Sequence, residues 1–599
     1  MIYNPIDKFY KSITGAVPEK TKITFRVKGN FDSVVFVLRK DGTDNLIKIE
    51  MQKCHDYFYM ETEFNVGLYF YYFDLYNGNY IINDNFKGRV SHEVKEFQLT
   101  VYQQDYSVPS WIYGGVIYQI FPDRFYRAEQ EKVVPSGKVL HENWGDTPVF
   151  LPNEQGEIIN NDFFGGDLKG IKEKLPYLKS LGVTVIYLNP IFKAFSNHRY
   201  DTGDYMQIDS LLGDKNSLQD LICSAKENGI NIVLDGVFNH TGDDSVYFNR
   251  YGNYDSLGAY QSKESPYYKW YNFNDYPNKY ESWWGIKTLP AINESNDDYV
   301  EFITGKEGVL RHYIRLGVSG WRLDVVDELP TPFVRKIREA VKSESSDAII
   351  IGEVWEDASN KISYGNRREY LQGKELDSVM NYPLKNAIID FVKNKNANHL
   401  SFVVKSQLDH YPHLSLHAMM NLLSTHDTMR LITAVGARDC DGMTKTQMAE
   451  YKIEFDKMDV AKFNLKVASL LQYTLCGVPS LYYGDEAGMQ GYSDPLNRAT
   501  YPWGKEDNEL IEWYKFLGGL RQNYSAFTCG EIKEICVSNG FYCYSRSDDN
   551  SEVLIAVNVG EKEYCFEFDG ILLDLIKNEW YKGEINIKPY SMNVLICEA

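Results

Sequence analysis

The stretch GWRLDVVDE, Gly320 to Glu328, decides the fold and much of the chemistry. Trp321, Leu323, Val325 and Val326, with Val318 before them, surround Arg322 and Asp324, the composition of a short buried strand interrupted by charge. Successive side chains on a strand face opposite ways, so Arg322 and Asp324 point to the same side and meet. A carboxylate beside a fixed guanidinium has its pKa lowered and stays ionised, ready to act as a nucleophile or an electrostatic stabiliser. A structural Arg–Asp pair closing a strand end fits this stretch equally well, so its surroundings must decide.

Outward from it, short apolar runs alternate with helical stretches from Trp111 onward, the pattern of parallel strands with helical crossovers. Eight runs qualify as strands: VIYQIF (116–121), VTVIYL (183–188), NIVLDGV (231–237), VSGWRLD (318–324), AIIIGEV (348–354), LDSVMNY (376–382), MMNLLST (419–425) and PSLYYG (479–484). Eight strands close a (β/α)8 barrel, whose chemistry sits at the C-terminal strand ends. Those ends carry Asp235, Asn239 and His240; Arg322 and Asp324; Glu353; and His426 and Asp427. LKGIKEKLPYLKSLG (168–182) spaces its leucines helically and stops at Gly182, which predicts one crossover helix.

Around the barrel (111–240 and 291–520) the sequence predicts three further units. Residues 1–105 alternate apolar and polar positions, as in ITFRV (23–27), VVFVL (34–38) and YFYYF (69–73), and read as an antiparallel β-sandwich, with Gln103 to Ser110 as a linker. Residues 241–290 form an insertion after the third strand, with nine Tyr, Trp and Phe residues between Tyr267 and Trp284. These rings suit both the faces of sugars and packing of the insertion itself. Residues 521–599 read as a second β-sandwich.

Composition sets outer limits. The chain has 599 residues, 15% of them aromatic, and a formal charge of −20, which argues against nucleic acid or an anionic membrane surface as partner. Nine scattered cysteines without metal-type spacing read as reduced thiols. The start, MIYNPIDKFYKSITG, lacks the basic and apolar regions of a secretory signal, and the most apolar stretch, 468–483, is interrupted by polar residues, Gly and Pro. The expected location is cytoplasmic.

Asp324, Glu353 and Asp427 thus arrive on one rim from three strands. Breaking a glycosidic bond takes one protonated acid and one ionised carboxylate on opposite sides of the sugar carbon. Arg322 would keep Asp324 ionised, while the apolar neighbours of Glu353 would raise its pKa and keep its proton.

DGVFNH (235–240), GWRLDVVDE (320–328), GEVW (352–355) and STHDT (424–428) resemble, in order and strand position, the four signature regions of the alpha-amylase family of glycoside hydrolases. SNHRYDTGDY (196–205) and GVPSLYYGDEAGMQGYSDPLNR (477–498) extend the resemblance to the neopullulanase, cyclomaltodextrinase and maltogenic amylase group, across essentially the whole chain. The resemblance implies a retaining mechanism on an α-glucan or maltooligosaccharide: Asp324 as nucleophile, Glu353 as acid and base, Asp427 as the third carboxylate. It implies that Arg322 orients Asp324, that His240 and His426 bind sugar hydroxyls, and that Tyr200 stacks on the sugar. His198 and Asp235 belong to the same shell, Asp494 and Arg498 to an ion pair near the substrate, and Trp355 and Glu328 to the leaving-group side. Charges favoured at a helix N-terminus explain Asp327 and Glu328 as well. The group also implies that the N-terminal sandwich, residues 1–105, is of starch-binding type and closes a neighbour's cleft in a homodimer.

Departures from the pattern matter too. LPAIN (289–293) and YESWWG (280–285) resemble amylopullulanase-type relatives, which is compatible with α-1,6 as well as α-1,4 cleavage. DRFYRAEQE (123–131) lacks the Asn and Asp cluster that supplies calcium ligands in many relatives, although Gly166 and Asp167 persist. No cofactor is required, no metal ligand is assigned, and calcium is left open. Three rivals stand beside hydrolysis: a glucanotransferase on the same scaffold, a non-catalytic glucan-binding protein, and a metal-dependent hydrolase using His240, His426 and Asp235.

Overall fold

A computed structural model describes residues 1–76 and 78–597. Eight parallel strands form its centre: β1 (Ile117–Ile120), β2 (Val185–Leu188), β3 (Asn231–Gly236), β4 (Gly320–Leu323), β5 (Ile349–Gly352), β6 (Ser378–Val379), β7 (Met420–Leu422) and β8 (Val478–Tyr482). Hydrogen bonding runs β6-β5-β4-β3-β2-β1-β8-β7, and a parallel bridge between Met380 and Met420 joins the two ends. Each strand lies within or overlaps one of the eight apolar runs. The chain therefore adopts the expected α/β class, a (β/α)8 barrel. Between β4 and β5 the backbones approach closely at Gly320, where a Cβ would lie 2.3 Å from the Ile349 carbonyl oxygen.

Alternation along the strands sorts the interior by height. Ile117, Val185, Val233 and Ile349 form an apolar layer near the N-terminal mouth. Two residues further along, the same faces present Gln119, Tyr187, Asp235 and Ile351, and then Glu353. The stretch expected as a linker instead plugs the lower mouth. Tyr106, Val108 and Ile112 pack into that apolar layer, and the Tyr106 hydroxyl donates to the Asp377 carbonyl at 2.7 Å.

Helices wrap the outside of the barrel. Lys215–Glu227 buries Leu218, Leu221, Ile222 and Ala225, and Asp214 caps it by accepting from the Ser217 N–H. The single helix predicted for 168–182 is two, Leu168–Glu173 and Leu175–Ser180. Pro176 has no N–H to continue the first and starts the second.

Near the N-terminus a seven-stranded sheet and a three-stranded sheet enclose Phe25, Phe36, Tyr71 and Phe73. This unit docks on the stretch following β5, where Gln98 Nε2 donates to Ser359 Oγ at 2.9 Å and Arg367 Nε to Asp41 Oδ2 at 2.7 Å. At the other end six strands between Glu531 and Cys597 form one ladder. One of its faces, with Tyr542, Tyr544 and Ile555, joins the barrel's core. The other, with Phe541, Cys543 and Ala556, is covered by Ile585 and Ile587 of the rolled-over strand Glu579–Ile587. In the 241–290 insertion, Tyr247, Phe248, Trp270 and Tyr271 are buried in the core. Packing claims most of its aromatic surface; Trp284 remains 79% exposed.

Candidate active site

Arg322 is the hub of the upper barrel. Register places it beside Asp235 on β3 and Ile351 on β5. Its Nη1 donates to Asp235 Oδ1 at 2.8 Å and to Asp324 Oδ1 at 2.7 Å. Its Nη2 stands 2.7 Å from Glu353 Oε2, but off the N–H direction, so that contact is an ion pair without an aligned hydrogen bond. One positive charge thus serves three carboxylates.

That ratio sets the charge balance of the site. Burial pushes the Asp324 carboxyl well above the usual carboxylate range, and although Arg322 pulls it back, the charges of Glu353 and Asp235 push it up again. Glu353 does not sit in the apolar surroundings expected from its neighbours in sequence. Its Oε2 accepts the Val325 N–H at 2.8 Å and its Oε1 accepts Trp355 Nε1–H at 3.0 Å. The apolar run AIIIG points its side chains into the barrel and shell below, whereas Glu353 stands beyond the strand end among donors. The Trp355 ring stacks on Tyr382 at 4.0 Å between centroids.

Backbone geometry helps to aim these groups. Val325 has φ 34° and ψ 55°, a left-handed conformation that is strained for a β-branched residue. The kink turns the chain sharply after Asp324 and presents the Val325 N–H to Glu353. Nothing in the sequence marks it, because glycine or asparagine would be the expected residue there.

A second network faces the hub. Tyr200 Oη donates to Asp235 Oδ2 at 2.8 Å and lies 2.6 Å from His426 Nε2, with the two rings stacked at 5.2 Å. Tyr187 Oη also donates to Asp235 Oδ2, at 2.6 Å. Nδ1 of His426 accepts from the amides of Gln119 and Asn189 at 3.0 and 3.2 Å, so its proton is on Nε2, 3.1 Å from Asp427 Oδ2. Burial and the Arg498 charge hold that imidazole neutral, far below its ordinary pKa. Gln119, Tyr187 and Asn189 were not singled out from the sequence; the only sign of them is a polar side chain on the inward face of β1 and at the upper end of β2.

Asp427 lies across from the hub with 35% of its side chain exposed, and Arg498 Nη2 is 3.5 Å away. Burial and the Glu353 charge raise its pKa to about 7. Arg498 Nη1 pairs with Asp494 at 2.8 Å, and Asn497 Nδ2 fastens the loop to the His426 carbonyl at 2.7 Å. His198 accepts the Tyr200 N–H on Nδ1 at 3.1 Å, and His240 donates from Nε2 to the Tyr200 carbonyl at 3.1 Å. Both are held neutral by burial, near pKa 3. His240 leaves Nδ1 buried without a partner, so in this arrangement it positions Tyr200. His240 and His426 also have their protonated nitrogens turned to oxygen acceptors, which does not fit a shared metal ligand set with Asp235. Glu328 accepts from Trp284 Nε1 at 3.3 Å and from the Tyr364 hydroxyl at 2.7 Å, joining the insertion to the stretch after β5.

The residues that persist at the calcium position do not fit a cation. Asp167 Oδ1 caps the helix Leu168–Glu173 at the Gly170 N–H, 2.6 Å away, and Oδ2 accepts Lys132 Nζ at 2.9 Å and the Glu129 N–H at 3.1 Å. Lys132 also donates to the Leu211 carbonyl at 2.9 Å, and the Arg127 guanidinium takes the Phe164 carbonyl at 2.7 Å. The oxygens a hard ion would need are already held by this chain's own cations. Among the described residues no group of three or more His, Cys, Asp or Glu side chains is placed to hold a metal.

Residues 119–516 match the family description "Alpha amylase, catalytic domain". The chain belongs to the alpha-amylase family of glycoside hydrolases. Residues 544–595 match "Beta-galactosidase C-terminal domain". An amylopullulanase of Thermoanaerobacter thermohydrosulfuricus is 35% identical over 99% of this chain, which spans 45% of that relative's length. A cyclomaltodextrinase of a Bacillus species is 33% identical over 75% of this chain and 73% of its own. Among solved structures, the type III pullulan hydrolase from Thermococcus kodakarensis superimposes with a TM-score of 0.70 at 25% identity, covering 99% of this chain and all of that one. In this alpha-amylase family member, DGVFNH, GWRLDVVDE, GEVW and STHDT lie on or directly after β3, β4, β5 and β7, where the hub and its facing network stand.

Proposed function

We propose that this chain hydrolyses α-1,4-glucosidic bonds, and α-1,6 bonds alongside them, in maltooligosaccharides, cyclodextrins, pullulan or starch, with retention of configuration. The observation that carries the proposal is the sharing of Arg322 between Asp324 and Glu353. Two carboxyls on one guanidinium suit the close spacing of about 5 Å used by retaining enzymes, not the gap of about 6.5–9.5 Å that admits a water between acid and base. Asp324 would attack the anomeric carbon and form a glycosyl ester while Glu353 passes its proton to the departing oxygen. Glu353 would then take a proton from the water that breaks the ester. Asp427 and His426 would hold hydroxyls of the distorted ring, and the faces of Tyr200 and His426 would support it. Three carboxylates over one cation favour an electron-poor sugar carbon, which relieves their mutual repulsion as positive charge develops.

Transfer of the glycosyl group to a second sugar is favoured by one feature. Trp284 and Tyr364, exposed and bound to the same Glu328 carboxylate, offer ring surface to an acceptor on the leaving-group side. Lys132 would stand in for calcium, so no cofactor enters the proposal. Among the described residues all nine cysteines are free, which supports a reducing, cytoplasmic location, and no helix there is long and apolar enough to cross a membrane. The edge strand Leu46–Glu50, with Leu46 and Ile47 half exposed, supports a homodimer through the N-terminal unit.

Product analysis on cyclodextrin, pullulan and starch side by side, with the anomeric form of fresh product read by NMR, tests the reading. We expect α-anomers from at least one glucan and a loss of about a thousandfold or more in Asp324→Asn. Equal, slow turnover by both proteins would leave a glucan-binding protein instead.

A further inference from the structure

The loop 490–500 has two working sides. Its inner side carries Arg498, whose Nε donates to the His426 carbonyl at 2.9 Å and whose Nη2 approaches Asp427. Its outer side does something else. Gln490, Tyr492 and Leu496 form one wall of a cavity of roughly 470 Å3, closed by Trp144 and Asp146 from the stretch after β1 and by Tyr451 from the stretch after β7. The catalytic carboxylates do not line it.

We propose that this cavity is a second binding site, for one or two glucosyl units of an α-glucan chain, separate from the catalytic cleft; the choice of glucan rests on the function proposed above. Its volume falls in the range of about 300–1,000 Å3 typical of small-molecule sites. Its walls are pre-formed. Trp144 Nε1 donates to the Tyr501 carbonyl at 2.8 Å, the Tyr492 hydroxyl to the Arg438 carbonyl at 2.9 Å, and Gln490 Oε1 accepts the Ile453 N–H at 2.9 Å. The polar tips of Trp144 and Tyr492 are therefore engaged by the fold, and it is ring surface that borders the open volume. Tyr451 packs edge-on against Tyr492 at 5.6 Å, which fixes both rings at little further entropic cost to a ligand.

The chemistry of the lining selects the occupant. An anion would find Lys452 and Lys505 in the lining, but also Asp146 and a chain of net charge −20. A hard cation finds no second carboxylate in the lining beside Asp146. A hydrocarbon would strand Asp146 and the amide nitrogen of Gln490. A neutral polyhydroxylated ring, with apolar C–H faces for the aromatic rings and hydroxyls that both donate to the carboxylate and accept from the amide and from Lys452 and Lys505, suits the mixed lining. Two sites on either side of one loop would hold a long glucan while its end is cut.

Calorimetric titration of maltotriose into the Asp324→Asn protein tests this directly. The expected result is two classes of site in Asp324→Asn and one when Trp144→Ala is added. In the otherwise native enzyme, Trp144→Ala should lower adsorption to granular starch at least about tenfold, the worth of one lost stacking contact, with kcat/KM on maltotriose unchanged. Thr147→Trp, which fills the cavity from its exposed wall, should do the same if Trp144→Ala folds poorly. A single class of site in the parent, both classes surviving in the variants, or a matched fall in kcat/KM would each overturn the proposal. Continued turnover of maltotriose in either case keeps the proposed function independent of the outcome.

Discussion

Two groups of buried cations in this barrel meet acids in different proportions. At the upper rim Arg322 faces Asp235, Asp324 and Glu353 at 2.7–2.8 Å. Behind β1 and β2, Lys132 meets Asp167 at 2.9 Å, and Lys138 and Arg199 meet Asp209 at 3.0 and 3.1 Å. Burial alone does not separate the two, since nearly all of these side chains are hidden. Stoichiometry does. Where cations match or outnumber acids, the Asp209 carboxyl is held below its ordinary pKa by Arg199 and Lys138 despite burial. Where acids outnumber the cation, burial drives Asp324 and Asp235 upward against the pull of Arg322, and at Asp324 the charges of Glu353 and Asp235 add to it. A balanced cluster has done its work once the chain is folded, whereas an overloaded one holds repulsion that only a positively charged reacting group relieves.

The contrast can be broken most severely at the hub. Arg322→Met strands three buried carboxylates and should cost about 3–5 kcal/mol of stability. Activity at pH 7 should fall at least about a hundredfold, because each 1.4 kcal/mol of lost pairing takes a factor of ten from the ionised nucleophile. Arg322→Lys, keeping charge but not the fork, should recover stability ahead of activity. If Arg322→Met folds and turns over maltotriose normally, the overload has no catalytic meaning.

At the balanced cluster the two effects should separate. Lys132→Met leaves Asp167 without its cation, so the thermal midpoint should drop by several degrees while kcat at 25 °C stays within about twofold. EDTA should leave the wild-type midpoint where it is. A chelator-induced fall would show that a metal, and not Lys132, balances Asp167.

The smallest effect sharpens the hub's outer edge. Asp427 has a pKa raised to about 7, and Arg498 is the nearest cation pulling it down. Removing that charge in Arg498→Met must raise the pKa further. Because the ionised form stabilises the cationic transition state, the acidic limb of kcat/KM should move to higher pH by about one unit or less, tempered by the exposure of the group. A limb that stays put or moves down would remove Asp427 from that ionisation.

Much of this was legible in the sequence for physical reasons. A buried parallel strand must be a short apolar run, and a charged residue directly after such a run has few places to go but the rim. That logic reached all eight strands and brought Asp324, Glu353, His426 and Asp427 to one mouth. It could not reach residues whose meaning lies in a neighbour. Gln119 and Tyr187 read as ordinary strand residues until β1 and β2 stand beside His426 and Asp235. Tyr106 and Val108 read as linker until the barrel's floor needs filling. GWRLD displays one Arg–Asp pair, whereas the other two acids on Arg322 come from β3 and β5 and are not visible in that stretch.

The kink at Val325 has a consequence for anyone who would harden this molecule. Glycine or asparagine there would relax a contorted peptide unit and by that measure should improve endurance to heat. The same relaxation would loosen the hinge between two reacting groups, since one side of the twist carries Asp324 and the other the amide that Glu353 leans on. A branched side chain kept in so uncomfortable a pose implies that a stiff corner is worth more here than a comfortable one.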